Sequence, residues 1–413
     1  MKARLLCTLM ALALLVAPAQ PTSAQSFQLL HTFEGTDGIA PGALVMDQAG
    51  NLYGSAAEGG IINCSVPGNI GCGTIFKLTN GTSAFSTLYQ FQSNADGWTP
   101  NSPLTIGTGG ILYGTTLDGG IEGGYGSVFR LRPTCKDLGC QQMVWNKTIL
   151  YRFGQCDGAG TNGGLVLDTI GNLYGTTIEM CGHTGQVYEL SPGHNLDGTW
   201  NLARLHIFQG PPNDGRWPEG PVVFDQAGNL FGSTLGGGTL DEGTVYKLIP
   251  QGNGWSECVL HSFTGVDGKD PLGSLVFDPQ GNLYGVTYGD SQPSSVFEFT
   301  PSGCSGNLTR SPFVPGQTQA LASGLVMDQD GNLYGVSQRG GEYGFGAVYE
   351  LTPAGSGWAY SAIYDFTGQS DGAYPQGPLV LNGGKLYGST TAGGDGNCNP
   401  GRGCGTVWMI TMN

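Results

Sequence analysis

One motif recurs seven times along the chain and restricts the fold to a repeat architecture. Each copy approximates Leu-Val-x-Asp-x-x-Gly-Asn-Leu-Tyr-Gly-Thr-Thr. Successive copies are 50 to 61 residues apart, measured between the last glycines of their Leu-Tyr-Gly cores. Units of about 40–50 residues with four short strands are typical of a β-propeller, so the spacing predicts seven blades with long loops. Those glycines are Gly54, Gly114, Gly175, Gly232, Gly285, Gly335 and Gly388.

Each unit contains four strand-like segments, which we name A to D. Strand A is the Leu-Val run, which is apolar at successive positions, as expected for burial on both faces near the central axis. Strand B is Asn-Leu-Tyr-Gly-Thr-Thr, strand C is Gly-Thr-Val-Phe-x-Leu, and strand D is Leu-Tyr-x-Phe. In unit five only Ser311-Pro312-Phe313 resembles strand D. The predicted blades span approximately 41–91, 100–153, 162–208, 218–263, 271–313, 322–366 and 375–410.

The two ends of the chain are predicted to complete the last blade together. A D-type segment at 27–33 precedes the first strand A, and the sequence ends after the seventh strand C. Pairing of these two segments would close the ring and protect its sheet edges. The predicted fold class is therefore all-β: a seven-bladed β-propeller of four-stranded antiparallel blades, closed by the N-terminal strand.

Composition excludes several functional classes. Glycine accounts for 74 of 413 residues, more than twice the usual fraction of about 7%, which disfavours long helices. The formal net charge is −15, from 16 basic and 31 acidic residues. Nucleic acids and anionic membrane surfaces attract clustered Lys and Arg, so neither is a predicted partner.

The N-terminus has the features of a secretory signal peptide. Lys2 and Arg4 precede an apolar run at 5–16, and small residues follow, so we expect cleavage after Ala24 and assign 1–24 to the signal peptide. No later apolar run is long enough to span a membrane. The predicted product is a secreted monomer, extracellular or periplasmic, with one propeller domain at 25–413 and no membrane span.

Ten cysteines remain after the predicted cleavage, and an oxidising compartment favours disulfides over metal ligation. Three predicted pairs are close in sequence: Cys64 with Cys72, Cys135 with Cys140, and Cys398 with Cys404. The pairing of the other four is left open by the sequence. These are Cys156, Cys181, Cys258 and Cys304.

The motifs of strands A, B and C resemble the Gloeo-Verruco (GloVer) tandem repeat of exported bacterial proteins. The similarity covers essentially all of 27–410. The resemblance implies a secreted or surface repeat protein, often with a C-terminal anchor, and no established activity. This sequence shows no such anchor motif, so surface attachment is not predicted.

Two groups of potential metal ligands are interpreted as structural. Five aspartates begin the A–B turns, where they are expected to cap the turn, since the spacing of a calcium-binding loop is missing. They are Asp47, Asp168, Asp225, Asp278 and Asp328. Three histidines occupy the strand D position that holds tyrosine in other units, which places them on three different blades. They are His31, His206 and His261. No metal site and no cofactor are predicted.

The candidate ligand-binding residues lie in the B–C loops and in the D–A connections, most of which carry Asp-Gly-x-x-Pro. Strand alternation places both sets at one end of the propeller, which we call the top face. Aromatic, acidic and arginine side chains around a concave funnel suit stacking and hydrogen bonding to a sugar, although packing of aromatic residues on loops is an alternative interpretation. The candidates are Trp98, Tyr125, Arg216, Trp217, Asp241, Glu242, Arg339, Glu342, Tyr343 and Tyr374.

Two functional classes remain open. One is a non-catalytic binding or scaffold module for a glycan or a protein partner, which we favour. The other is a polysaccharide lyase or glycoside hydrolase; hydrolysis would need two carboxyl groups about 5–10 Å apart. Glu242 and Glu342 are the acids to test for this alternative, although no motif nominates a catalytic residue.

Overall fold

A computed structural model describes residues 25–412 with short gaps, so the predicted signal peptide lies outside the described residues. Within the described part the chain is all-β, with two short 3-10 helices at Asn94–Asp96 and Thr108–Gly110. The gaps are 62–70, 93, 121–123, 138–141, 155, 194–199, 253, 289–293, 312–317, 322–323, 356, 395–397 and 399–401.

Seven four-stranded antiparallel sheets form the blades of a propeller, in agreement with the predicted fold. The first three blades contain, in the order A to D, Ile39–Met46, Leu52–Glu58, Thr74–Leu78 and Phe85–Gln90; Thr105–Ile106, Leu112–Thr116, Ser127–Cys135 and Met143–Arg152; and Val166–Leu167, Leu173–Thr177, Gln186–Ser191 and Asn201–Ile207.

The remaining blades repeat this order. Blades 4 to 6 contain Val223–Phe224, Leu230–Thr234, Thr244–Gln251 and Gly254–Ser262; Pro271–Phe277, Leu283–Thr287, Ser295–Ser302 and Ser305–Ser311; and Val326–Met327, Leu333–Gly340, Ala347–Ala354 and Gly357–Asp365. Blade 7 contains Ala373–Asn382, Lys385–Ala392, Thr406–Thr411 and Ser26–Thr32. Two short additions are the ladder of Gly215–Arg216 with Gly236–Gly237 and the strand Thr318–Leu321 in blade 6.

The N-terminal strand closes the ring as predicted. Ser26–Thr32 pairs antiparallel with Thr406–Thr411 and becomes the outer strand of blade 7. The Phe27 ring also stacks on Tyr364 of blade 6, with a centroid separation of 4.3 Å and an interplanar angle of 11°. The strand therefore holds two blades together.

Strand D of blade 5 spans Ser305–Ser311 and forms a tight hairpin with Ser295–Ser302. Ser311 pairs with Val296 as His261 pairs with Val245 in blade 4, so it occupies the register position expected from the sequence, while 312–313 lie outside the described residues. Gly306 occupies the register position that holds Trp255 in blade 4 and Trp358 in blade 6.

In every blade a strand C ring lies directly over the last glycine of the Leu-Tyr-Gly motif. A Cβ atom on these glycines would lie only 2.3–2.6 Å from the nearest atom of the aromatic side chain, which is the hydroxyl oxygen in the three tyrosines, so a larger residue cannot be accommodated without movement. All seven rings are fully buried. The pairs are Gly54 with Phe76, Gly114 with Phe129, Gly175 with Tyr188, Gly232 with Tyr246, Gly285 with Phe297, Gly335 with Tyr349, and Gly388 with Trp408.

The same rings join neighbouring blades. A fully buried phenylalanine at the end of strand D contacts the strand C ring of the next blade, with centroid separations of 5.1–5.5 Å. Aromatic pairs of this kind contribute about 0.5–1.5 kcal/mol beyond the burial of their area. Six such pairs are described: Phe33–Phe76, Phe91–Phe129, Phe153–Tyr188, Phe208–Tyr246, Phe263–Phe297 and Phe366–Trp408.

Three disulfides lie within the described residues. Cys398–Cys404 was expected from its spacing, and the pairs Cys156–Cys181 and Cys258–Cys304 resolve the pairing that the sequence left open. Cys258–Cys304 joins strand D of blade 4 to the C–D turn of blade 5. Cys72 and Cys135 are also disulfide-bonded, while their predicted partners, Cys64 and Cys140, lie outside the described residues.

The fit between ring and glycine predicts that Gly285→Ala destabilises the protein. The added methyl group would lie 2.4 Å from the Phe297 ring, and overpacking of this kind costs about 1–3 kcal/mol. Urea unfolding would measure the loss. Gly254→Ala is the matched control, because a Cβ atom there meets nothing within 4 Å. Equal stability of the two variants would contradict the role given to the glycine.

Closure by the N-terminal strand predicts that deletion of residues 25–33 lowers the melting temperature of the whole propeller. The deletion exposes the edge of Thr406–Thr411 and removes the Phe27 stack. Differential scanning calorimetry would measure the change. Leu29→Ser is the control, since Leu29 is 39% exposed on the same strand and should be replaceable. A deletion variant with an unchanged melting temperature would refute this mode of closure.

Candidate functional site

The D–A connections hold one residue in a left-handed conformation at the same place in five copies. It is the residue before the proline of Asp-Gly-x-x-Pro, and its φ is between 47° and 59°. Positive φ is unfavourable for residues with a side chain, and it persists only where the surroundings enforce it. The five residues are Ala40, Thr99, Trp217, Asp270 and Tyr374.

Two contacts with the preceding blade enforce this conformation. The backbone N–H of the left-handed residue donates to a carbonyl of the previous B–C segment, as from Trp217 to Thr184 at 2.7 Å and from Tyr374 to Phe345 at 2.9 Å. The following proline packs on the glycine that precedes strand C, where a Cβ atom would lie 2.4–2.6 Å from the proline ring. The backbone is therefore constant around the top face, while the side chain it presents changes from blade to blade.

Three of the predicted residues form one cluster in blade 4. The Arg216 guanidinium lies 3.8 Å from the centroid of the Trp217 ring and 2.6 Å from Asp241 Oδ2. Asp241 Oδ1 accepts a hydrogen bond from the backbone N–H of Gly237 at 2.7 Å, which fixes the carboxylate. Gly236 leaves space for the arginine, because a Cβ atom there would lie 2.5 Å from its Nε. Trp217 is 36% exposed, so the cluster presents its indole to solvent.

The other predicted residues lie apart from this cluster. Trp98 pairs with Asp118 through the backbone and packs, half-buried, on the core between blades 1 and 2. Tyr125 is also half-buried and packs on the next core cluster. These two contacts are structural, whatever else the side chains do. On blade 6, Arg339, Glu342 and Tyr343 are exposed.

The remaining two candidates take part in blade contacts. The carbonyl of Glu242 accepts the hydrogen bond from the left-handed Asp270 at 2.9 Å. The Tyr374 ring lies 6.2 Å from Phe345. Glu242 and Glu342 are on blades 4 and 6, so the two acids chosen for a catalytic alternative are on non-adjacent blades.

The A–B turn aspartates are bonded within their own turns, as the capping interpretation requires. Asp47 Oδ1 accepts from the backbone N–H groups of Ala49 and Asn51, and its Oδ2 accepts from the side chains of Asn51 and Tyr53, all at 2.8–3.0 Å. These hydrogen bonds lower the pKa of Asp47 although burial opposes the shift. Their oxygens are directed into the turn.

The strand D histidines and tyrosines share one contact. Each bonds to the aspartate of the next Asp-Gly pair, over 2.8–3.2 Å, which agrees with the predicted framework role. The pairs are His31–Asp37, Tyr89–Asp96, Tyr151–Asp157, His206–Asp214, His261–Asp267 and Tyr364–Asp371.

One of these pairs has an additional carboxylate that the sequence reasoning missed. Glu257 Oε2, from strand D of blade 4, lies 3.3 Å from His206 Nε2. Burial raises the pKa of Glu257 to about 8. Burial also acts to raise that of Asp214, but hydrogen bonds from His206 and Gln209 outweigh it and lower the pKa. A comparison of strand D between repeats would have singled out Glu257 by its charge.

Cavities lie at the opposite end of the propeller from the top face, between A–B turns and C–D hairpins, and two of them adjoin blade 5. The larger, of about 570 Å³ between blades 5 and 6, is lined by Tyr284 and Trp358 together with acidic residues. The other, of about 400 Å³ between blades 4 and 5, is lined by Phe231 and Lys247. It lies beside blade 5, where Gly306 replaces the tryptophan of strand D, a substitution visible in the sequence.

Comparisons with known proteins give a family for this chain but no biochemical activity. No curated protein matches the chain significantly. Similar solved structures include a PQQ-bound aldose sugar dehydrogenase from Streptomyces coelicolor, with 13% identity, a TM-score of 0.46, and coverage of 95% of this chain and 100% of that one. A protein of unknown function from Dyadobacter fermentans has 10% identity, a TM-score of 0.47, and coverage of 94% and 98%.

A polysaccharide lyase is similar to the same degree, with 12% identity, a TM-score of 0.48, and coverage of 90% of this chain and 89% of that one. With identities of 10–13% and TM-scores below 0.5, these likenesses support no statement about the activity of this chain. Among the described residues, no helix is both long and apolar enough to cross a membrane.

Family membership follows from the repeats themselves. The Gloeobacter/Verrucomicrobia repeat model matches residues 19–197, 146–309 and 289–413, which together include all seven blades. The matched segments contain the recurring motifs of strands A, B and C. The chain therefore belongs to the Gloeobacter/Verrucomicrobia repeat family.

Proposed function

We propose that this protein is an exported, non-catalytic binding propeller that recognises a carbohydrate at the Arg216–Trp217–Asp241 cluster of its top face. The observation that carries the proposal is Trp217 itself: a large aromatic residue, 36% exposed, held at a φ of 59°. Ala40 has the same backbone in blade 1, so the fold does not need an aromatic side chain there.

The geometry of the cluster suits a sugar. Arg216 covers part of the indole and is itself fixed by Asp241, so the aromatic surface is rigid before any ligand arrives. Rigid aromatic side chains bind with a low entropic cost, and the adjacent guanidinium and carboxylate offer donors and acceptors for hydroxyl groups. The formal charge of −15 disfavours polyanionic ligands, which leaves neutral or cationic glycans as the favoured class.

Binding is preferred to hydrolysis because of how the acids of this cluster are used. Hydrolysis needs two carboxyl groups about 5–10 Å apart on either side of the bond, one of them with a raised pKa. Asp241 is instead paired with Arg216 at 2.6 Å. Burial raises the pKa of Glu257 to about 8 and also raises that of Glu219, but Glu257 lies on an outer strand D and Glu219 is not one of the acids of this cluster.

Export is supported by the cysteines and by the N-terminal sequence. The disulfides Cys156–Cys181, Cys258–Cys304 and Cys398–Cys404 fit an oxidising compartment. The basic start and apolar run at 1–24 have the pattern of a signal peptide.

Trp217→Ala is predicted to abolish most glycan binding without unfolding the protein. We expect a glycan array to identify a ligand for the unmodified chain, and calorimetry to show binding weakened at least about tenfold in the variant, as for other buried or stacked aromatic contacts. Ile170→Ala is the control, because Ile170 is 81% exposed at an A–B turn on the opposite end and should not affect binding.

Three outcomes would contradict the proposal. New chain ends released from a polysaccharide would show catalysis instead. Array binding that is unchanged in Trp217→Ala would place the site elsewhere. Binding to a protein partner alone, with no glycan recognised, would assign the top face to protein recognition.

A further inference from the structure

The contact between His206 and Asp214 has a third member, Glu257, which differs in type from the residues at the equivalent position of other blades. The position compared is the strand D residue of the next blade that pairs with the last apolar residue of strand C. In blade 4 this residue is Glu257, which pairs with Leu248. At the other described interfaces with a His–Asp or Tyr–Asp pair, this position holds an apolar residue or lysine. These residues are Phe27, Phe85, Lys147, Leu202 and Leu308.

Lys147 shows how a charge at this position is balanced. Its Nζ lies 2.8 Å from Asp96 Oδ1, and its side chain is only 4% exposed. A buried cation is therefore paired with the aspartate of the D–A connection. At the equivalent position blade 4 presents Glu257, and the side chains of Asp214 and Glu257 are 11% and 14% exposed. Two largely buried carboxylates therefore converge where blade 2 has an ion pair.

The protein groups around these carboxylates do not satisfy them. The imidazole Nε2 of His206 can donate only one hydrogen, yet it faces both acids, at 3.2 Å from Asp214 Oδ2 and 3.3 Å from Glu257 Oε2. Glu257 Oε1 is buried and has no hydrogen-bond partner among the described residues. Within that same part of the chain, no lysine or arginine forms an ion pair with either acid. Such an arrangement is costly unless Glu257 carries a proton or a cation joins the two acids.

The distances fit a divalent transition metal. One ligand atom from each residue can be chosen so that all three lie within 4.8 Å of one another. In a tetrahedral zinc site with bonds of about 2.0–2.1 Å, neighbouring ligand atoms are about 3.3–3.4 Å apart, close to the two distances from His206 Nε2. Calcium prefers six to eight oxygen ligands, which three protein groups with one imidazole do not supply.

We propose that His206, Asp214 and Glu257 form a binding site for one divalent transition metal ion, with Zn²⁺ as the best match. Three protein ligands leave a fourth position for water, which is accessible because His206 is 20% exposed. The ion would join strand D of blade 3 to strand D of blade 4. It would also fix Asp214, two residues before Arg216, and so hold the start of the connection that presents Trp217.

The test uses the untagged chain after removal of metal with a chelator. We expect one Zn²⁺ per chain by elemental analysis after gel filtration, and an increase in melting temperature on addition of Zn²⁺, because a ligand that binds only the folded state stabilises it. Glu257→Leu should lose both effects. Leucine occurs at the equivalent positions 202 and 308, so this variant is expected to fold.

Two further variants separate metal binding from general damage. Glu257→Lys reproduces the charge of Lys147 and should give a folded protein whose melting temperature no longer responds to Zn²⁺. His261→Leu removes the histidine of a His–Asp pair whose third position is Leu308, and it should keep the full response.

The proposal would be overturned if the folded wild-type chain bound no Zn²⁺, Co²⁺ or Mn²⁺ above the level of Glu257→Leu. Stoichiometric metal retained by Glu257→Leu would equally refute it. Loss of binding in His261→Leu would place the metal at another site.

Discussion

The structure depends on one steric fit, repeated seven times: a strand C ring that occupies the space above a strand B glycine. Because the glycine has no side chain, the end of the aromatic side chain can lie against its backbone, as that of Tyr246 does at Gly232. The same ring then meets a phenylalanine from the preceding blade, as Tyr246 meets Phe208 at 5.1 Å. The contact inside each blade thus positions the aromatic side chain that contacts the preceding blade. The circular arrangement of the blades depends on this pair of contacts in each repeat.

The sequence was sufficient to predict the blade count, the strand order and the closure, because these depend on contacts that every repeat makes. It could not predict the features that occur once. Strand D of blade 5 was hard to recognise because only Ser311-Pro312-Phe313 remains of the Leu-Tyr-x-Phe motif there. The direct contact of Arg216 with Trp217 and Asp241 depends on backbone conformations with positive φ that sequence does not specify for bulky residues. Glu257 and His206 are on different repeats, so only the packing of two blades brings them together.

In both proposed sites the backbone is the same as in other repeats and the side chain differs. The hydrogen bond and proline contact of each D–A connection hold the backbone, so the side chain before the proline can change without loss of the fold, from Ala40 in one blade to Trp217 in another. A strand D position beside the aspartate of the D–A connection likewise has a constant register and a variable side chain. It holds Lys147 in blade 2 and Glu257 in blade 4. Both proposals therefore place chemistry where one repeat differs from the other repeats.

The pairing of Ser26–Thr32 with Thr406–Thr411 has a consequence for the order of folding. Ser26–Thr32 has no sheet to join until Thr406–Thr411 has been made, so blades 1 to 6 can form before blade 7 is complete. Closing a loop that contains nearly the whole chain carries a large entropic cost and is a slow, long-range step. Until that step is complete, the strand Thr406–Thr411 has an unpaired edge. Association between chains through this edge is therefore most favourable before the ring of blades closes.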